Sequence, residues 1–425
     1  MDTEAVQGRE YRPRVIDGAL QRALRTAGAV VIEGARASGK TMTALHAAGS
    51  HVFLDDDEMG LLASVAPKSL LDGPSPRLLD EWTNAPVLWN LVRRSVDASP
   101  ATGRFILTGS AVPADEVTRH TGAGRFLRLR QRTMSWWEKL DEPSGAVSLA
   151  SLFAGEKPAA DLGAGIELEA IVGNLLRPGF PAMTELAPDD AADLLRGYID
   201  DVTRADIRRI ADIRHEPAVL QQLIASLARA VASPVSHRTL ASDMRSIAPT
   251  IDAETVGRYV GLLERLFVIE SQQAWAPKLR SRATVRVSSK MHLVDPALAA
   301  VALRAGPERL MGDLQTLGFL FESAVVHDLT VLASGLRGEV KHYQDSYGNE
   351  IDAVVTLPDG RWGAVEVTLG GAQLPKGIES LARAVAQIET ESEQEPSFRL
   401  VVTGTGPILV ADDGTVTAPL SALAP

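Results

Sequence analysis

The stretch Ala29-Val30-Val31-Ile32-Glu33-Gly34-Ala35-Arg36-Ala37-Ser38-Gly39-Lys40-Thr41 decides how the rest of this chain is read. A short apolar run leads into two glycines spaced five apart, the second followed at once by lysine and threonine. That spacing is a phosphate-binding loop, which works only where a strand turns into a helix. Gly34 and Gly39 permit the tight backbone path, so the amides of Ala35, Arg36, Ala37 and Ser38 can point inward at phosphate oxygens. Lys40 should reach the β- and γ-phosphates, and Thr41 should ligate Mg²⁺.

Working outward, Arg12 to Arg25 reads as a helix, with Ile16, Leu20 and Leu24 on one face. His51-Val52-Phe53-Leu54 reads as a second strand, closed by the acidic run Asp55-Asp56-Asp57-Glu58, either a solvated turn or a site for a cationic partner. The next apolar run ends in two acids, in Arg77-Leu78-Leu79-Asp80-Glu81-Trp82. Asp80 lies 40 positions after Lys40. Adjacent carboxylates at a strand end suit a division of labour, Asp80 holding Mg²⁺ and Glu81 polarising the attacking water. A further strand, Arg104 to Ser110, leaves Thr108 and Ser110 as candidates to sense the γ-phosphate or position water. In Gly122-Ala123-Gly124-Arg125-Phe126-Leu127-Arg128-Leu129-Arg130, Arg125 is the candidate charge-stabilising arginine. Arg128 and Arg130 compete for that role.

Composition sets the outer limits. At 425 residues the chain exceeds what one core usually fills, so two or three domains are expected. Cys is absent, which excludes disulfides and thiolate metal sites and fits a reducing compartment. The formal charge of −11 argues against a broad nucleic-acid-binding surface and leaves room for a local basic patch. The eight histidines form no metal-ligand spacing. No secretory signal is visible after Met1, and no uninterrupted apolar run approaches about 18 residues, so a cytoplasmic protein without a membrane span is expected.

The loop together with Leu78-Leu79-Asp80-Glu81-Trp82, Phe105-Ile106-Leu107-Thr108-Gly109-Ser110 and the stretch from Gly124 to Glu138 resembles a bacterial and archaeal group. These are AAA+-like P-loop ATPases with a C-terminal DUF4143 domain of restriction-endonuclease-like type. The resemblance implies an αβα nucleotide-binding layer with a mainly parallel sheet, and ATP rather than GTP. It also implies that the ATPase core closes at Met134-Ser135-Trp136-Trp137-Glu138. A homo-oligomer and a DNA or protein client stay open.

The middle region is helical. Asp141 to Gly145 reads as a linker, and Ala191–Arg209 as a long helix carrying Arg196, Arg204, Arg208 and Arg209. Helices are expected at Leu220–Val231, Ser236–Ala241 and Asp252–Glu264, followed by a strand at Phe267–Glu270. That order suggests a winged helix-turn-helix at about 220–275, a module the family commonly contains. Its third helix would present Glu254, Thr255, Arg258 and Tyr259, where acids nearly balance bases, so protein interaction is favoured over DNA reading. Lys278, Arg280, Arg282 and Arg286 form the clearest basic patch. Asp295 is read as a helix cap, with a metal role for His292 and Asp295 as the minor alternative.

The last third follows the order helix, strand, acidic strand, second acidic strand, which resembles a restriction-endonuclease core. Asp352 and Glu366 would converge on Mg²⁺, with Glu322 as a third carboxylate and Glu350 as a competitor. The family pattern ends Glu-x-Lys, whereas here it ends Glu366-Val367-Thr368. Threonine carries no charge, and Lys376 is the candidate for a migrated lysine, so cleavage is disfavoured. The expected architecture is thus an α/β chain in three parts. Residues 1–145 form an ATP-binding core, 146–275 a helical region with the winged helix, and 276–425 a restriction-endonuclease-like domain without nuclease activity. The expected function is Mg²⁺-dependent ATP hydrolysis coupled to a conformational or interaction task. The alternatives are a nucleotide-regulated DNA- or protein-binding module with little turnover, and a Mg²⁺-dependent defence-type nuclease.

Overall fold

A computed structural model describes residues 11–111, 123–140, 146–213, 215–277, 288–392 and 395–425. The chain divides into two units. The first comprises Met1–Thr133 together with Asp206–Asp212 and Leu262–Val268, and the second comprises the remainder. Most of the middle region and the C-terminal domain fall within the second unit. Two short pieces of the middle region join the nucleotide unit instead.

The first unit is built on five strands: β1 (Ala29–Glu33), β2 (Ser50–Phe53), β3 (Arg77–Asp80), β4 (Phe105–Gly109) and β5 (Phe126–Arg130). They lie in the order β2-β3-β4-β1-β5, all parallel. β1 and β4 are buried on both faces, which explains their unbroken apolar sequences. Successive side chains go to opposite layers. Val31, Leu79 and Leu107 pack with Trp82, Leu88, Trp89 and Val92. Val30, Ile32, Leu78 and Ile106 pack with Leu20, Ala23, Leu24, Ala44 and Leu45. The helices Val15–Thr26 and Lys40–Ala47 thus cover one face, and Val87–Asp97 the other. The αβα layering follows directly from the alternation. The acidic run after β2 is an exposed turn that leads into a helix. Asp56 caps the helix Asp57–Val65, its carboxylate accepting from the amides of Glu58 and Met59, and Asp57 and Glu58 fill the helix's first turn.

In the second unit, a short parallel pair joins β6 (Val147–Ser148) to β16 (Leu423–Ala424). The expected helical triad is present with shifted ends, at Pro217–Arg229, His237–Met244 and Ala253–Arg265. Ser236 caps the second of these, and Asp252 accepts from Thr255 at the start of the third. A three-stranded sheet accompanies them, with β9 (Lys290–Leu293) between β7 (Ser233–Pro234) and β8 (Ile269–Gln272). The expected helix Ala191–Arg209 is broken. Pro188–Asp201 passes through a π-helical turn, Val202–Asp206, into Ile207–Ile210. The basic patch from Lys278 to Arg286, the linker Asp141–Gly145 and Gly122 lie outside the described residues.

The C-terminal sheet has the order β10-β11-β12-β13-β15-β14. Its strands are β10 (Glu339–Gln344), β11 (Glu350–Thr356), β12 (Trp362–Thr368), β13 (Phe398–Thr403), β14 (Leu409–Val410) and β15 (Val416–Pro419). The first three form an antiparallel meander. The helix Leu374–Ser392 then crosses over to β13, which is parallel to β12. Its Leu381, Ala384, Val385 and Ile388 pack on Ile351, Val354, Ala364 and Val401. The helix Leu314–Gly335 is long and apolar enough to cross a membrane, which qualifies the reading of no such segment. It is 67% buried inside the protein and serves as a core helix of this domain.

Candidate functional site

The phosphate loop begins where β1 ends. Gly34 is required by close approach, since a Cβ there would lie 2.0 Å from the carbonyl oxygen of Gln131. Gly39 has φ 93°, a left-handed conformation that opens the helix Lys40–Ala47. Ala37 also has a positive φ of 61°, a strain tolerated at functional loops. Two side chains brace the loop from outside. Arg14 Nη1 and Gln131 Nε2 both donate to the carbonyl of Ser38, each at 3.1 Å. Arg14 also reaches the carbonyl of Arg132 at 2.9 Å. Neither brace belongs to a motif, which is why sequence reading passed over them.

Lys40 is 4% exposed and donates to the carbonyl of Ala35 across the loop at 2.8 Å. Burial lowers its pKa to about 8, opposed by the charges of Glu81 and Asp80. The first acid of the pair is the centre of the site. Thr41 Oγ1 donates to Asp80 at 3.0 Å, and Thr108 Oγ1 donates to the same carboxylate at 2.5 Å. The Thr108 hydroxyl in turn accepts the amide of Glu81 at 3.0 Å. Burial pushes the Asp80 carboxyl up, and the two hydroxyl donors pull it back. Glu81 adopts a left-handed backbone conformation, φ 50° and ψ 48°, and its carboxylate accepts from Ser110 Oγ at 2.7 Å. The two candidates at the end of β4 therefore divide the task. Thr108 holds Asp80 and the Glu81 backbone, and Ser110 holds the Glu81 side chain. Thr41 and Asp80 present a hydroxyl and a carboxylate at one point, a donor set that suits Mg²⁺.

Arg125 is not brought to the loop. It precedes Phe126, which is in register with Ala29, the first residue of β1, whereas the loop follows Glu33 at the other end. At about 3.3 Å per residue this is a separation of roughly 15 Å. There Arg125 pairs with Asp97 at 2.6 Å. Its competitors are also engaged, Arg128 with Glu33 and Arg130 over the ring of Phe267. The loop itself carries a further arginine, Arg36. It is partly exposed, lies 3.6 Å from Asp206 and depresses the Lys40 pKa by its charge. Asp206 also pairs with Arg209 at 3.6 Å.

In the C-terminal domain, Glu322, Asp352 and Glu366 share a cluster with Lys290, a residue that sequence reading did not single out. Lys290 Nζ lies 2.7 Å from Glu322 and 3.6 Å from Asp352. Among the described residues no three His, Cys, Asp or Glu side chains group as a metal site. Glu350 does not compete, since it turns outward to Gln344, and Lys376 is exposed. His292 is held by Ser323 and Gln272, and Asp295 caps the helix Pro296–Ala302 while also accepting from Gly179. Tyr259, expected on a recognition face, is buried and bonded to His215.

Burial, with the nearby Asp352 charge, raises Glu366 to about 9 and Glu322 to about 7. Raised carboxyls keep protons that the unfolded chain releases. Their stabilisation is complete below about pH 4.5 and lost as pH climbs through the folded values. His292 and His342, lowered to about 3 and 4, have finished titrating by pH 7, and Lys139, lowered by burial, acts in the opposite sense. The melting temperature of the second unit should therefore fall more between pH 7 and pH 8 in wild type than in E366Q, as read by calorimetry.

Family models match three segments. An AAA domain covers residues 26–140, a domain of unknown function (DUF8612) covers 169–309, and another (DUF4143) covers 317–423. No curated protein matches the chain. Among solved structures, a Walker-type ATPase of Pyrococcus abyssi is similar at 12% identity and a TM-score of 0.41, over 69% of this chain and 96% of that one. A likeness at that level carries no functional argument. The chain therefore has an AAA-type P-loop ATPase domain at its N-terminal end and a DUF4143 domain at its C-terminal end.

Proposed function

We propose that this protein binds ATP with Mg²⁺, hydrolyses it, and passes the nucleotide state to the rest of the chain through Arg36 and Asp206. The observation that carries the hydrolytic reading is the run of hydrogen bonds from Thr41 through Asp80 and Thr108 to Glu81. A hydroxyl and a carboxylate, with a second carboxylate beside them, support the reading of a metal pair and a water-activating acid next to the phosphate loop. Thr41 and Asp80 would hold Mg²⁺, which neutralises charge on the β- and γ-phosphates when bound. Lys40, now turned back onto Ala35, would move to the phosphates and exchange a carbonyl for an anion. Glu81 is held by Ser110. Released, it would orient water and accept its proton.

Arg36 supports the coupling. The segment Asp206–Asp212 belongs to the nucleotide unit, while the chain on either side of it, Met134–Ala205 and Ile213–Gly261, belongs to the other. A triphosphate competes with Asp206 for the Arg36 guanidinium. Once Asp206 is released, the short segment that carries it is free to shift, and the chain at both its ends must follow. The π-helical turn ending at Asp206 supplies a backbone irregularity where that shift can be absorbed.

The middle region supports a winged-helix reading, since helix, short strand, two helices and an antiparallel pair follow in that order. With Glu254 and Arg258 exposed and Tyr259 buried, its third helix suits a protein client better than DNA. A homo-oligomer and a cytoplasmic location remain part of this proposal.

Two experiments test it. E81Q should retain ATP binding and lose most steady-state hydrolysis, and unchanged turnover would remove Glu81 from the catalytic role. D206N should tighten ATP binding, because the nucleotide no longer competes with an ion pair for Arg36. A solvent-exposed pair is worth up to about 1 kcal/mol, so the gain should be at most about fivefold. In the R36A background D206N should then have no effect on ATP affinity measured by calorimetry.

A further inference from the structure

A restriction-endonuclease-like reading of the C-terminal domain would imply a divalent cation on Glu322, Asp352 and Glu366, but the arrangement around these carboxylates does not fit one. Ala353 pairs with Val365 across β11 and β12, so Asp352 and Glu366 are the next opposed positions in that ladder. Directly opposed residues in an antiparallel pair point to the same face. Glu322 approaches from the helix Leu314–Gly335. Into this group projects the side chain of Lys290, from β9, a strand of a different sheet. It is 7% exposed.

Three of the oxygens a metal would need are committed elsewhere. Glu322 Oε1 is bonded to the Lys290 ammonium, and Asp352 Oδ1 faces the same ammonium. Asp352 Oδ2 accepts the amide of Val367 at 2.9 Å. Glu366 Oε2 is buried without a hydrogen-bond partner, as is the Thr368 hydroxyl that stands where the family has lysine. A dication entering here would have to expel the ammonium from two carboxylates, or sit beside a fixed positive charge that repels it. Buried charge that is paired and hydrogen-bonded can persist, whereas unpaired charge cannot.

We infer that Lys290 is a built-in counter-ion standing in the place of a metal, so that Glu322 and Asp352 stay paired with it and the C-terminal domain works without a divalent cation. The lysine missing from Glu366-Val367-Thr368 is not replaced as a catalytic group. A positive charge arrives from another strand and closes the site. The domain is left as a folded body for contact with other surfaces, which agrees with the disfavoured reading of phosphodiester cleavage.

The test uses the full-length, nucleotide-free protein and Mn²⁺ as the probe, with free Mn²⁺ read by electron paramagnetic resonance. Wild type and D352N should bind the same amount of Mn²⁺, since the cluster contributes none. K290M, or K290Q as the polar alternative, should gain one further Mn²⁺ per chain, and that gain should vanish when D352N is added. Mn²⁺ should raise the melting temperature of the lysine variant and not of wild type through this cluster. A wild-type Mn²⁺ site lost in D352N would overturn the inference, as would Mn²⁺-dependent cleavage of plasmid DNA abolished by D352N. A folded lysine variant that gains no Mn²⁺ would overturn it as well. If neither lysine variant folds, the comparison of wild type with D352N decides alone.

Discussion

The Asp80 carboxylate, gripped by two threonine hydroxyls, is the interaction on which the rest of the nucleotide unit depends. Thr41 comes from the helix after the phosphate loop and Thr108 from the end of β4, so one buried acid ties loop, β3 and β4 into a single geometry. A buried carboxylate without donors would be costly. Here the donors are the groups a catalytic centre needs. The same Thr108 oxygen then takes the Glu81 amide and fixes the second acid relative to the first. The parallel sheet makes this possible by ending β1, β3 and β4 at a common edge.

The two halves of the molecule treat buried acids in opposite ways. At the nucleotide site, threonine and serine hydroxyls hold the carboxylates. In the C-terminal domain the charge of Lys290 is covalently part of the chain, 2.7 Å from Glu322. The Arg36–Asp206 pair is of a third kind, an ion pair at 3.6 Å whose arginine is half in solvent.

Much of the nucleotide unit was legible because its determinants are local. The apolar run of β1, the glycine spacing and the acids at Asp80 and Glu81 each act over a few residues, and the parallel order follows from alternating strands and helices. The helices of the middle region were legible in number and missed at their ends. Caps such as Ser236 and Asp252 set those ends, whereas apolar spacing marks only the interior. What was not legible depends on distant partners. Arg125 looked well placed after its glycines, yet register puts it at the end of β5 away from the phosphate loop of its own chain. Arg14, Gln131, Asp206 and Lys290 matter through residues 24 to 170 positions away, and nothing in their immediate neighbours marks them. The return of Asp206–Asp212 and Leu262–Val268 to the nucleotide unit is likewise a tertiary fact with no local signal.

The central claim is that Asp80 organises the metal for ATP hydrolysis, and the Mg²⁺ dependence of phosphate release in wild type and D80N tests it most directly. The account predicts saturable, Mg²⁺-dependent release by wild type and loss of that release in a folded D80N protein at every Mg²⁺ concentration. Release by D80N at the wild-type rate and with the wild-type Mg²⁺ dependence would contradict it.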